Sequence, residues 1–168
     1  MGITKEDSIT ALSSFKGASK RLELVKRAES TVIYKDFAHS PSKLKATTAA
    51  MKNQFPNRQL IACMELHTFS SLSKAFLSHY DGAMQTADTA IVYYNPHTLE
   101  HKKLAPISKE LVAEGFNQKG LLVFTDSHKL KKFLNAQDWN NKNLLLMSSG
   151  NFDGIDYNEL AEELLGKT

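Results

Sequence analysis

Thr31-Val32-Ile33-Tyr34-Lys35-Asp36-Phe37-Ala38-His39-Ser40-Pro41 is the stretch on which the fold turns. Thr31 to Lys35 is rich in β-branched and aromatic residues and reads as a strand. Ser40 is a good N-cap and Pro41 suits the first helical position, so a helix opens there. Asp36 and His39 thus lie where a strand ends and a helix begins, which in an α/β sheet is where ligands bind. The helix start adds free N–H groups and positive potential, which suit a phosphate. A phosphorylated ligand near residues 36–41 is the expectation. Asp36 could accept from a ribose hydroxyl or a metal's waters, and His39 could touch a phosphate or a base. The competing roles are a turn or cap for Asp36 and a structural one for His39.

Upstream, Arg21 to Lys26 alternates and Arg27-Ala28-Glu29-Ser30 reads as a turn, so a β-hairpin precedes the key stretch. Before it, Ile9, Leu12 and Phe15 recur at spacings of three, as in a helix over Ile3–Phe15 broken at Lys16-Gly17. That helix is either a tail or the end of a preceding domain.

Downstream, the hydrophobic period alternates between helix and strand. Helices are expected at Ser42–Phe55, Leu72–Tyr80, Ile107–Glu114, Ser127–Asn135 and Tyr157–Leu165. Unbroken apolar runs at Leu60–Met64 and Ala90–Tyr94 read as strands buried on both faces, and Leu121–Phe124 and Leu144–Met147 as two further strands. Asn95 to Pro106 reads as a polar, mobile loop. The alternation predicts an α/β fold: a Rossmann-like, mostly parallel sheet with flanking helices and an N-terminal hairpin.

Composition fits one soluble domain: 168 residues, 42% hydrophobic, 23% charged, net charge +3. The densest basic stretch is Lys16, Lys20, Arg21, Lys26 and Arg27, without the aromatic interleaving of an RNA-binding motif, so no nucleic-acid partner is expected. Cys63, the single cysteine, sits in an apolar run and reads as a buried small hydrophobe. The polar N-terminus and the lack of a long apolar run predict a cytoplasmic protein without a membrane span.

The strand ends carry polar residues: Asp36 and His39, then Glu65-Leu66-His67-Thr68-Phe69-Ser70-Ser71, Asn95, Thr125-Asp126-Ser127 and Ser148-Ser149-Gly150-Asn151. Such a gathering favours a binding edge, although each residue has an alternative as a cap. No G-x-S-x-G elbow supports a Ser-His-Asp triad. His97 and His101 lack the Glu of the helical zinc motif and read as surface residues. Gly166-Lys167-Thr168 lacks the earlier glycine of a phosphate loop, and Gly150–Gly154 lacks the full dinucleotide fingerprint.

Two segments resemble a known family. Asp36-Phe37-Ala38-His39-Ser40-Pro41 is similar to the D-[DY]-[YF]-A-H-x-P segment in the C-terminal domain of bacterial Mur ligases. Phe15-Lys16-Gly17-Ala18-Ser19-Lys20-Arg21-Leu22-Glu23 resembles the F-x-G-x-x-[RK]-R-[LF]-[EQ] segment that opens that domain. Two branches share the A-H-x-P form, the L-alanine-adding ligase and the murein peptide ligase. The alanine branch carries H-R-Y-T-R where this chain has His67-Thr68-Phe69-Ser70-Ser71, without either arginine. Those arginines would hold the carboxylate of a free amino acid. Their loss, with the Met147–Phe152 loop, favours the peptide ligase.

The resemblance implies an ATP-dependent amide ligation that joins a murein tripeptide to UDP-N-acetylmuramate. ATP and Mg2+ would be bound mainly by a central domain, and the UDP sugar by an N-terminal one. Residues 1–14 would then be a helix or linker from a preceding domain, and residues 15–168 the C-terminal domain, inactive alone. It implies nucleotide contacts at Asp36 and His39. Substrate contacts would be Glu65, His67, Thr68, Ser70, Ser148 and Asn151, with no catalytic residue or metal ligand here. The alternatives are the L-alanine-adding ligase, a stand-alone nucleotide- or anion-binding module, and, on fold alone, an NAD-dependent oxidoreductase.

Overall fold

Strands buried on both faces explain why the apolar runs show no alternation. In the computed structural model, which describes residues 22–166, six strands form one sheet. They are β1 (Glu23–Arg27), β2 (Val32–Asp36), β3 (Gln59–Glu65), β4 (Thr89–Tyr93), β5 (Leu122–Phe124) and β6 (Lys142–Met147), in the order β1-β2-β6-β3-β4-β5. β1 and β2 pair antiparallel, as the expected hairpin, and every other pair is parallel. The expected fold class is therefore the observed one.

Side chains alternate between the two layers. Leu60, Ala62 and Met64 join the cluster containing Leu44, Met51, Tyr80, Val112 and Phe116. These come from α1 (Pro41–Gln54), a 3-10 turn (Ser78–Tyr80) and α4 (Lys109–Phe116). The intervening Ile61 and Cys63 join Leu130, Leu134, Leu160 and Leu164, from α5 (Ser127–Asn135) and α6 (Tyr157–Leu165). Cys63 is fully enclosed, and burial pushes its thiol well above the ordinary value, so it is no nucleophile.

Two expectations need correction. The Leu72–Tyr80 helix is only α2 (Lys74–Leu77) followed by the 3-10 turn. The preceding residues turn instead: Leu72 N–H donates to the Thr68 carbonyl and Ser71 N–H to Thr68 Oγ1. Serine and threonine hydroxyls offer the backbone this alternative. The Asn95–Pro106 loop contains a helix, α3 (Pro96–His101). Asn95 caps it through the His97 N–H, Pro96 takes the first position, and Leu99 anchors it in the core. The cap and proline were visible in the sequence, but a single apolar residue in six hid the amphipathic stripe. The expected Ile3–Phe15 helix, its Lys16-Gly17 break and the last two residues, Lys167 and Thr168, lie outside the described residues.

The register aligns the strand ends. Asp36 is level with Met147, Met64 with Met147, Glu65 with Tyr93, and Tyr93 with Phe124. The polar loops after five strands therefore share one edge.

At the opposite end, Asp88 accepts from Lys52 Nζ at 2.5 Å and from the Leu60 N–H at 2.7 Å. Partial burial would raise its pKa, but these two donors outweigh that and hold it below the ordinary aspartate value. A lowered folded pKa means stability that is present above the unfolded value, near about 3.9, and lost as pH falls through the folded one. Asp88→Asn is expected to lower stability at pH 7 by less than about 1 kcal/mol, because the pair is partly exposed. It should also flatten the loss of stability below pH 4. Urea midpoints at pH 7 and pH 3 check this; an unchanged difference between them would remove Asp88 from the acid response.

Candidate functional site

The loop after β2 is built around Asp36. Its Oδ1 accepts from the Ala38 N–H at 2.6 Å and its Oδ2 from the Leu22 N–H at 2.5 Å. The carboxylate thus shapes the turn and ties it to the start of the hairpin, while the residue stays partly exposed. The ring of His39 lies with Nδ1 3.0 Å from the Phe37 carbonyl, and the Phe37 ring meets it edge-on at 5.3 Å. Tyr80 donates its hydroxyl to the His39 carbonyl at 2.6 Å. Ser40 occupies the N-cap position of α1 without a side-chain cap bond. The first N–H groups of that helix therefore have no hydroxyl partner from Ser40.

The loops after β3 and β6 meet at Glu65. This carboxylate is 3% exposed. Its Oε2 accepts from Ser148 Oγ and from the Phe152 N–H, the latter at 2.9 Å. Its Oε1 lies 3.6 Å from Nδ1 of His67, which is itself partly exposed. Ser148 Oγ also accepts from the Gly150 N–H at 2.6 Å. Burial first, then the negative charges of Asp153 and Glu65, push the Tyr93 phenol up to about 12. Burial and Glu65 likewise push Tyr157 up. Both phenols therefore remain protonated around Glu65.

Thr68 and Ser70 are apart from this cluster. Their hydroxyls lie 3.2 Å from each other, and Thr68 Oγ1 lies 3.0 Å from Ser71 Oγ. They organise the turn into α2 and keep an exposed side. Asn151 is exposed, with Oδ1 accepting from the Gly154 N–H at 3.0 Å.

Two clefts open on this edge. One, of about 190 Å³, brings Asp36 together with Ser148, Ser149 and Gly150, and adds Lys35 and Tyr157. Lys35 is paired with Glu23 at 3.1 Å. The other, of about 490 Å³, is lined by Asn95, Asp126, Ser127, Asp153, Asp156 and Glu159. The expected polar edge is thus divided in two. Asn95 and Asp126 belong to the second cleft, and Asp126 is spent partly as the cap of α5.

Sequence reading missed three residues. Lys35 and Tyr157 were assigned to a strand and a helix, and nothing local shows them facing a cleft. Phe69 is 61% exposed and holds Lys102 Nζ 4.3 Å from its ring centre. Its signal was an aromatic residue between two hydroxyl residues in a polar loop. Among the described residues no group of three or more His, Cys, Asp or Glu could hold a metal ion. His97 and His101 are exposed, and His97 faces Glu100. No described helix is long and apolar enough to cross a membrane.

Residues 20–150 match the family model described as Mur ligase, glutamate ligase domain. The UDP-N-acetylmuramate–L-alanine ligase of Agathobacter rectalis is 29% identical over 170 residues, covering 99% of this chain and 35% of that protein. Among solved structures, a murein peptide ligase from Psychrobacter arcticus superposes with a TM-score of 0.70 at 23% identity, covering 94% of this chain and 32% of that one. The UDP-N-acetylmuramate–alanine ligase of Thermotoga maritima gives 0.64 at 15% identity, covering 96% and 32%. These two structural likenesses are likenesses of fold. The chain spans about a third of the length of these relatives.

Proposed function

This chain belongs to the Mur ligase family, through its glutamate ligase domain, and from that premise we propose that it serves an ATP-dependent amide ligase of peptidoglycan assembly. In this reading residues 15–168 are the C-terminal domain and residues 1–14 a helix or linker from a preceding one. A central domain supplies the phosphate loop and most ligands of ATP and Mg2+. An N-terminal domain holds UDP-N-acetylmuramate. ATP would transfer its terminal phosphoryl group to the muramate carboxylate and release ADP; the amine nitrogen would then bond to the acyl carbon, giving up a proton as phosphate leaves. The domain alone is inactive. It closes over the nucleotide with Asp36 and His39 and excludes water. The start of α1, where Ser40 makes no side-chain cap bond, suits a phosphate oxygen.

His67, Thr68, Ser70 and Asn151 would receive the amine substrate on the loops after β3 and β6, beside Glu65 and Ser148. The substrate we favour is the murein tripeptide L-alanyl-γ-D-glutamyl-meso-diaminopimelate. One observation carries that choice: the loop from His67 to Ser71 holds hydroxyls and no arginine. A free amino acid's carboxylate calls for a bidentate cation, whereas a peptide presents an amide there. L-Alanine is the second reading, favoured by the sequence match to the Agathobacter rectalis enzyme along nearly the whole chain.

The test is ATP turnover by the intact ligase with UDP-N-acetylmuramate and either amine. Tripeptide-stimulated turnover at least about tenfold above that with L-alanine is expected, a difference of about 1.4 kcal/mol in transition-state binding. Faster turnover with alanine would transfer the assignment to the second reading. Stimulation by neither would leave a nucleotide- or anion-binding module. In the same assay Asp36→Ala is expected to lower kcat/KM for ATP by about tenfold or more, through a misplaced β2 loop and a lost contact. Unchanged turnover would remove Asp36 from the nucleotide site.

A further inference from the structure

Glu65 is chemically odd for a substrate ligand. It is almost wholly enclosed, and among the ion pairs of the described residues the only basic side chain facing it is His67. Burying a carboxylate is unfavourable unless its oxygens are satisfied. Here the neighbouring loop satisfies one of them: Ser148 Oγ and the Phe152 N–H both donate to Oε2, while Oε1 faces His67 Nδ1 at 3.6 Å. These bonds join residues 83 and 87 positions apart in the chain.

The Phe152 bond holds an unusual backbone. Phe152, Asp153 and Gly154 have φ of 50°, 60° and 88°, three consecutive residues in the left-handed region. Aspartate and asparagine enter that region readily, whereas a bulky residue such as Phe152 does so only where its surroundings impose it. The ring of Phe152 is fully buried, 5.9 Å from Tyr93 and 6.2 Å from Tyr157. Glu65 supplies the polar half of the constraint and the ring supplies the apolar half. The turn so held leaves Asn151 at the surface, where its Oδ1 accepts from the Gly154 N–H. Ser148, fixed by the same carboxylate, accepts from the Gly150 N–H and shapes the segment between.

We propose that Glu65 is a positioning residue, which locks the loops after β3 and β6 into one preformed surface and does not itself touch substrate. Through it His67, the Gly150 backbone and Asn151 keep a fixed relation before the amine substrate arrives. Preorganisation of this kind lowers the cost of binding. The inference rests on the reading that these loops receive the amine substrate.

The experiment is steady-state kinetics of the intact ligase with the tripeptide as probe, joined to amide hydrogen exchange of this chain. Glu65→Ala is expected to raise KM for the tripeptide by about 10- to 100-fold, as loop displacement does, with KM for ATP unchanged. Glu65→Gln keeps a carbonyl acceptor for Ser148 and Phe152 and is expected to recover most of that loss. A residue acting only on stability would lower the active fraction, and so kcat, without moving KM for one substrate. Equal loss in the Ala and Gln variants would mean that the charge itself contacts substrate, and would overturn the proposal. Should the Ala variant not fold, Glu65→Gln and Ser148→Ala carry the test through hydrogen exchange, with the glutamine variant expected to raise KM for the tripeptide only slightly. Exchange reads the lock independently of any activity: residues 149–154 should lose protection in Glu65→Ala or Ser148→Ala and retain it in Glu65→Gln. Unchanged protection in the first two would also overturn the proposal. An intact ligase inert to both amines, with the exchange pattern as expected, would instead sink the functional reading and leave the lock standing.

Discussion

Gly150→Ala in the intact ligase is expected to lower kcat/KM for the amine substrate by about 100-fold. A Cβ placed at Gly150 would stand 2.9 Å from Glu65 Oε2 and 3.0 Å from Cγ and Nδ1 of His67. Side-chain carbons do not approach that closely, so something must move. Glu65 cannot simply swing aside, because Ser148 and the Phe152 N–H hold it inside the protein. The loop after β6 or the ring of His67 must shift instead, and both belong to the surface proposed to receive the substrate. The demand for glycine here comes from close approach and not from backbone conformation. Gly150 is absent from the positive-φ glycines Gly82, Gly120 and Gly154. Overpacking of this kind also costs about 1–3 kcal/mol of stability. Paired measurements of KM for the amine and of the urea midpoint separate the two effects. A variant with unchanged KM for the amine would show that the loops after β3 and β6 do not form the substrate surface.

Phe152→Ala is expected to destabilise the domain by about 3–5 kcal/mol, the usual range for removing a fully buried aromatic ring. Domains of ordinary stability hold about 5–15 kcal/mol in all, so this is a large fraction. The left-handed backbone adds a second, diagnostic expectation. Alanine at φ 50° keeps the steric conflict of a Cβ, whereas glycine removes it. Phe152→Gly should therefore be no less stable than Phe152→Ala, the reverse of the order found in a helix or strand. Urea unfolding of both variants beside the parent chain decides it. A glycine variant about 1 kcal/mol weaker than the alanine one would mean that the left-handed turn is not imposed by the fold.

The local pattern made most of the elements legible. The strand-to-helix step at Asp36–Pro41 appears as read, and α5 and α6 have the expected bounds. Asp126 and Asp156 cap these two helices through backbone N–H groups two and three residues on, a signal carried by a few adjacent residues. Where the pattern misled, competing local chemistry was the cause. The serines before α2 turn the chain, and the polar sequence of α3 conceals a capped helix. Each site residue read from the sequence lies at or near a strand end of the same sheet edge, because strand direction and parallel pairing follow from the alternation of elements. Its role did not follow. Thr68 and Ser70 looked equivalent to Glu65 as loop polar groups, yet they stay at the exposed turn while Glu65 is enclosed.

What the sequence by itself determined is the succession of elements, the double burial of the central strands and the gathering of polar loops at their carboxyl ends. These depend on hydrophobic period and capping residues, which are local. Tertiary structure alone decided the order β1-β2-β6-β3-β4-β5. With that order came the meeting of Glu65 with Ser148 and Phe152, and the division of the edge into two clefts. Inserting the last strand between β2 and β3 is a choice among pairings whose apolar faces are nearly interchangeable. Packing summed over the whole sheet selects it, and no short run of residues encodes that sum.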